Sequence, residues 1–180
     1  NGGQMEHLGH LKMDFLGLCN LSDIKFAIEY VKENNIKYAI LDLGGNIYVL
    51  DKKELKVGIQ KPFAPRGELL CTVSVNDKCV VTSGTYERNF EKDGKLYHHI
   101  FDSKTGKPAD TGISEVTVIG RSGALCDALS TAILVMGEEE CGKLYNKLGN
   151  FEYIIVKDKK VIVSEGLEIE NLHKDYREVK

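Results

Sequence analysis

Asp127 and Thr131 are four residues apart, so on a helix they share one face. A carboxylate beside a hydroxyl makes a poor transition-metal site. It suits Mg²⁺, which takes hard oxygen ligands, keeps waters and borrows oxygens from a substrate phosphate. Read as a helix start, Asp127 would also sit near free N–H groups that favour an anion. The plainer reading makes Asp127 a helix cap and Thr131 a hydroxyl bonded back to a carbonyl.

Thr82-Ser83-Gly84 ends a strand-like run with two hydroxyls and a glycine. Such a segment can turn backbone amides toward a phosphate, or simply turn. Tyr97-His98-His99-Ile100-Phe101-Asp102 reads as a strand. On it His99 shares a face with Tyr97 and Phe101, and His98 faces the other way, so one histidine points inward. An imidazole near neutrality suits general-base work. The Asp102 carboxylate, just beyond, can orient a ring or a loop. Gly44-Gly45-Asn46 follows an apolar run and permits close ligand approach or a strand-to-strand turn.

Several elements must position these groups. Ser22 to Asn34 carries an N-cap and the stripe Ile24, Ala27, Ile28, Val31 of a helix, ended by Asn34-Asn35. Strand-like runs follow at Tyr38–Leu43, Asn46–Leu50 and Lys56–Ile59. Glu68–Val75 and Cys79–Thr82 flank Asn76-Asp77 and read as a hairpin, in which Cys79 would face Ser74. Leu96–Phe101 and Ser114–Gly120 read as strands. Helices are expected over Asp127–Met136, stopped by Gly137, and Glu138–Leu148, closed by Gly149. Tyr153–Lys157 and Val161–Ser164 form a last hairpin. Residues 1–12 read as loose and 166–180 as a charged, solvated tail. The sum is one α+β domain over 1–180, with about three helices among about nine strands in a largely antiparallel sheet.

Composition narrows the partners. The chain has 180 residues, 42% apolar and 28% charged, with net charge −3. At that length ~70% of the unfolded surface can be buried. No basic block exists, which argues against nucleic acid as a partner. No apolar run reaches the ~18 residues of a membrane span. Five cysteines without a CxxC spacing argue against a zinc site and for free thiols, which lean toward a reducing compartment. The first twelve residues lack the apolar core of a signal peptide. Position 1 is Asn and not Met, as in a fragment or a processed product.

Four runs in one order carry a resemblance. LDLGGN (41–46), VVTSGTYERNF (80–90), GKLYHHIFDSKTGKPA (94–109) and CDALSTAILVMG (126–137) together resemble the ApbE family, the FAD:protein FMN transferases or flavin transferases. The match extends over about residues 36–165. It implies the C-terminal part of the ApbE fold, with FAD as substrate and Mg²⁺ as cofactor. The implied reaction moves FMN onto a Thr or Ser hydroxyl of an acceptor protein and releases AMP. It also implies that Asp127 and Thr131 bind the metal, that His99 is catalytic, and that Thr82, Ser83 and Gly84 lie near the cofactor phosphates, with Gly45 and Asp102 also toward the cofactor. The family's location allows a membrane-associated or exported protein.

The chain departs from the family pattern in places. Ser103 stands for the proline of H-I-x-D-P, and Thr85 for the aspartate of T-S-G-D-Y. The D-x-G-G-x-A-K-G-Y segment corresponds to Asp14–Ser22, where Cys19 replaces the alanine whose carbonyl serves the metal and Asn20 replaces the lysine. The residues given correspond to the downstream part of the family pattern. Two further functions therefore stand beside transfer: a flavin- or nucleotide-binding module without catalysis, and a pyrophosphatase that splits FAD without an acceptor.

Overall fold

The computed structural model describes residues 26–31, 33–36, 39–42, 45–50 and 53–179. The chain forms two units, residues 1–35 and 36–180. In the first, residues 26–31 are helical and Val31 is buried. Asn34 and Asn35 end the helix as expected: Asn34 Nδ2 donates to the Tyr30 carbonyl at 2.8 Å, and Asn35 takes φ +55°. The expected start at Ser22 lies outside the described residues.

The second unit carries everything that follows. Its strands are β1 (Ala39–Asp42), β2 (Asn46–Leu50), β3 (Leu55–Gln60), β4 (Leu69–Val75), β5 (Lys78–Gly84), β6 (Asn89–Lys92) and β7 (Lys95–His98). Then come β8 (Phe101–Asp102), β9 (Lys107–Pro108), β10 (Ile113–Gly120), helices α1 (Gly123–Met136) and α2 (Glu138–Leu148), and β11 (Phe151–Lys157), β12 (Lys160–Val163), β13 (Ile169–Glu170) and β14 (Arg177–Val179). Seven strands form one sheet in the order β1-β2-β5-β10-β11-β12-β14, antiparallel except for the β12–β14 pair. A smaller sheet runs β13-β4-β3. The architecture is α+β and largely antiparallel, as the patterning and the resemblance both imply.

Alternation along the strands explains the layers. Val80 and Ile119 of the large sheet meet Ile59, Leu70 and Val73 of the small one in a core that also takes Val49, Ile154 and Val161. The opposite face of β5 and β10 receives α1, which buries Cys126, Leu129, Ser130, Ile133 and Leu134. Burial of Leu129, Ile133 and Leu134 contributes ~1.5–3 kcal/mol each. No described helix is long and apolar enough to cross a membrane. The four described cysteines are free and buried.

The structure corrects several expectations. Glu68–Val75 and Cys79–Thr82 are not a hairpin. β4 pairs with β3 and β13, β5 pairs with β2 and β10, and Asn76-Asp77 carries the chain from one sheet to the other. Tyr48 latches this crossing by donating to Asp77 Oδ1 at 2.6 Å. Cys79 consequently stands opposite Tyr48 and Gly120, not Ser74. The single strand expected over Leu96–Phe101 breaks at His99. The tail after Glu165 is not merely solvated: Leu167 is buried, β13 extends the small sheet and β14 the large one. The helix expected from Asp127 starts four residues earlier, at Gly123. Ser122 is its N-cap, with Oγ accepting from the Leu125 amide at 3.3 Å.

Candidate functional site

A cavity of about 340 Å³ opens where β5, the β7–β8 connection and α1 converge. Thr82, Ser83 and Gly84 form one wall, His99, Ile100 and Phe101 a second, and Asp127 and Thr131 a third, with Glu87 at the rim. Six of the residues singled out from the sequence thus meet in one place. Gly45 is not among them. It lies behind the wall, where its carbonyl accepts from the Thr82 amide at 3.2 Å and its φ of +105° suits glycine. Asp102 is not in the lining either. Its Oδ1 accepts from the Lys104 amide at 2.9 Å and its carbonyl from the Gly106 amide at 2.8 Å, so it caps the β8–β9 turn. Cys19 lies outside the described residues.

The two histidines have opposite surroundings. His98 is buried, and its Nε2 is 3.1 Å from the Ala109 carbonyl. His99 is exposed in the bend after β7, its amide donating to the Arg88 carbonyl at 3.2 Å. The bend frees the His99 ring from the strand's alternation and delivers it to the cavity wall.

Because α1 begins at Gly123, Asp127 is in the helix body and not at its end. The first residues of α1 do not line the cavity, so the helix terminus does not supply the anion site expected there. What α1 supplies is a carboxylate. Asp127 is half-buried, and among the described residues no donor or cation meets its side-chain oxygens. Desolvation alone raises its pKa above the usual range. A carboxylate left in this state is suited to a bound cation.

Hydrogen-bond counting orients Thr131. Ser130 Oγ donates to the Asp127 carbonyl at 3.0 Å, so its one proton is used. The 2.8 Å contact between Ser83 and Ser130 must then be a donation from Ser83. The 3.1 Å contact between Ser83 and Thr131 is in turn a donation from Thr131. Thr131 therefore turns its proton toward Ser83 and keeps its lone pairs free on the cavity side. Asp127 and Thr131 form an all-oxygen pair that fits Mg²⁺ completed by waters and a phosphate. No group of three His, Cys, Asp or Glu suited to a transition metal occurs among the described residues.

Thr82 and Ser83 serve opposite faces of β5. Thr82 Oγ1 is 2.8 Å from Thr117 Oγ1, so the cavity meets Thr82 mainly through its backbone. Thr85, in place of the family's aspartate, is buried with its amide and hydroxyl both donating to the Ser114 carbonyl. Sequence reasoning missed Glu87 and Ser130, although both lie within the recognised runs. It also missed Glu115, a fully buried acid that no alternation pattern would flag.

Residues 6–155 match the model of the ApbE family. An FAD:protein FMN transferase of Klebsiella pneumoniae is 36% identical over 137 residues, 76% of this chain and 43% of that protein. One of Treponema pallidum is 38% identical over 153 residues, 78% of this chain and 42% of that protein. Among solved structures, the ApbE protein of Thermotoga maritima superimposes with a TM-score of 0.59 at 31% identity, covering 76% of this chain and 43% of that one. The apo form of the Pseudomonas stutzeri flavinyl transferase ApbE gives 0.64 at 26%, covering 92% and 50%. The chain spans about half the length of the relatives it matches. Motif order, fold and family match agree, and the chain belongs to the ApbE family.

Proposed function

We propose that this chain carries the phosphoryl-transfer half of an FAD:protein FMN transferase, moving FMN from FAD to a Thr or Ser hydroxyl of an acceptor protein and releasing AMP. The observation that carries the reading is the shared cavity: an exposed histidine, an oxygen pair suited to Mg²⁺ and the Thr82–Gly84 segment line one space. The names of the relatives agree with flavin transfer.

In this reading His99 takes the proton of the acceptor hydroxyl as its oxygen bonds to the FMN phosphorus. The phosphorus–oxygen bond to AMP breaks, and AMP leaves with the electron pair. A positioned base contributes ~10²–10⁴-fold to such a step. Asp127 and Thr131 hold Mg²⁺, which when bound offsets charge on the pyrophosphate oxygens. The Thr82–Gly84 segment flanks the phosphates. Cys19 is the candidate third metal contact, through its carbonyl.

Asn20, in place of the family's lysine, motivates a second reading: a flavin-binding module without transfer. Incubation with FAD, Mg²⁺ and a threonine-bearing acceptor separates the readings by AMP release. Release that requires both Mg²⁺ and acceptor supports transfer. Binding of FAD without release supports the module. Release without acceptor supports a pyrophosphatase.

A further inference from the structure

Glu115 stands opposite Gly84 in the β5–β10 ladder and is 0% exposed. One carboxyl oxygen, Oε2, accepts from the Tyr86 hydroxyl at 2.5 Å. The other, Oε1, is buried and has no partner among the described residues. The Tyr86 ring lies directly over Gly84: a β-carbon at residue 84 would sit 2.5 Å from Tyr86 Cε1. Phe63 packs on the outer side of the ring, centroid to centroid 5.7 Å. Gly84 and Glu87, at either end of this turn, both line the cavity.

These contacts form a chain from the core to the cavity wall. Glu115 holds the Tyr86 hydroxyl, the ring covers the one residue with no side chain, and the turn that carries Glu87 is set by that stack. We propose that Glu115 is a positioning residue for the cavity: it accepts from the Tyr86 hydroxyl, holds the ring across Gly84 and so fixes the Gly84–Glu87 turn. The role deepens the flavin reading, since that turn would flank the bound nucleotide.

The surroundings explain why the neutral form prevails. The titratable groups facing Glu115 are Cys71 from β4, Tyr86 and Glu87 from the turn, and Tyr176 from the C-terminal segment. None is a cation. Burial pushes Glu115 up to about 8, the Tyr86 bond pulls it down, and Glu87 adds to the rise. Burial pushes Cys71 up to about 12 and raises both tyrosines as well. The ionised form would sit desolvated beside Glu87, with the Tyr86 hydroxyl as its donor among the described residues.

Amide hydrogen exchange across 84–88, with FAD titration by flavin fluorescence, tests the role in wild type, Glu115→Gln and Glu115→Ala. At pH 7 the Ala variant is expected to exchange ~10-fold faster at 84–88 with α1 unchanged, and to bind FAD ~10-fold more weakly. Gln, neutral at every pH, restores wild-type protection at pH 7. Wild-type protection in the Ala variant, or a Gln variant as loose as the Ala one, overturns the proposal. If the Ala variant does not fold, Tyr86→Phe, which removes only the hydroxyl, is measured in its place, and wild-type protection in it overturns the proposal. If exchange responds as expected but wild type binds no FAD, the positioning role stands and the flavin reading falls.

Discussion

Ser83 on β5 and Thr131 on α1 meet hydroxyl to hydroxyl at 3.1 Å, and Thr131 is the donor. The direction follows from Ser130, whose proton is spent on the Asp127 carbonyl. Two serines that need never touch a cation thus decide which side of Thr131 faces one. Replacing Ser130 with Ala frees Ser83 to reverse its donation and turns the Thr131 proton into the cavity. Mg²⁺ affinity, measured by calorimetry on the isolated protein, is expected to fall ~10–100-fold, as with other groups that orient a metal ligand. Unchanged affinity would show that Thr131 is oriented by something else.

Asp127 gives the same site a pH dependence with a definite sign. The carboxylate must be ionised to hold a cation, and burial raises its pKa. Mg²⁺ affinity should therefore decline as pH falls through that raised value, ~10-fold per unit once below it. Without metal the raised pKa works against the fold. Stability from this group is fully present below the unfolded pKa and lost as pH rises through the folded one. Asp127→Asn, neutral throughout, should raise the Tm of the metal-free protein at pH 7 while removing Mg²⁺ binding. A lower Tm would contradict the burial argument.

His99 is exposed, and no described core contact depends on its ring. His99→Ala should leave FAD affinity and Tm near wild type and reduce acceptor-dependent AMP release ~10²–10⁴-fold. Flavin titration and AMP quantification on one preparation check both halves. Wild-type turnover in this variant would remove the base role.

Gly84→Ala places a methyl against the Tyr86 ring at 2.5 Å, and Glu115 and Phe63 hold that ring in place. The strain should destabilise by ~1–3 kcal/mol, read as a lower urea midpoint with an unchanged m-value. A second change, Tyr86→Phe, removes the hydroxyl tether and should recover part of the loss. If Gly84→Ala is neutral, the ring moves aside freely and cannot anchor the turn.

The site was more legible in sequence than the fold that holds it. Asp127, Thr131, His99 and Ser83 each have a plainer local reading as cap, back-bonded hydroxyl, strand histidine or turn, and it is the order of the four runs that sets them apart as candidates. No such order reveals the sheet partition, because Asn76-Asp77 is as good a hairpin turn as it is a crossing between sheets. Which it becomes is decided by long-range packing of β4 on β3 and the Tyr48–Asp77 bond. The early start of α1 was hidden because Gly123 is a poor helix former, while Ser122, its cap, sits among other small residues. Glu115 was invisible for a different reason: an acid in an apolar strand reads as solvent-facing, and only the fold reveals the tyrosine that receives it. Cys19 was drawn from the resemblance and lies outside the described residues. Asp102, read as able to orient a ring or a loop, orients its own turn.

The β6–β7 hairpin is a two-stranded sheet of its own that begins just after Glu87 and ends just before His99, so both of its ends sit at the cavity. Its tip, Asp93-Gly94, has φ of +53° and +71°, the two-residue turn that matches strand twist. Phe90 and Tyr97 stack midway at 5.2 Å and clamp the two arms together. A ribbon built this way separates tolerance from constraint along its length. Residues can be added in pairs at the tip without shifting the register at Asn89–His98. The tip is accordingly the place to graft a fluorophore or an affinity handle, next to the cavity yet insulated from it by the aromatic clamp.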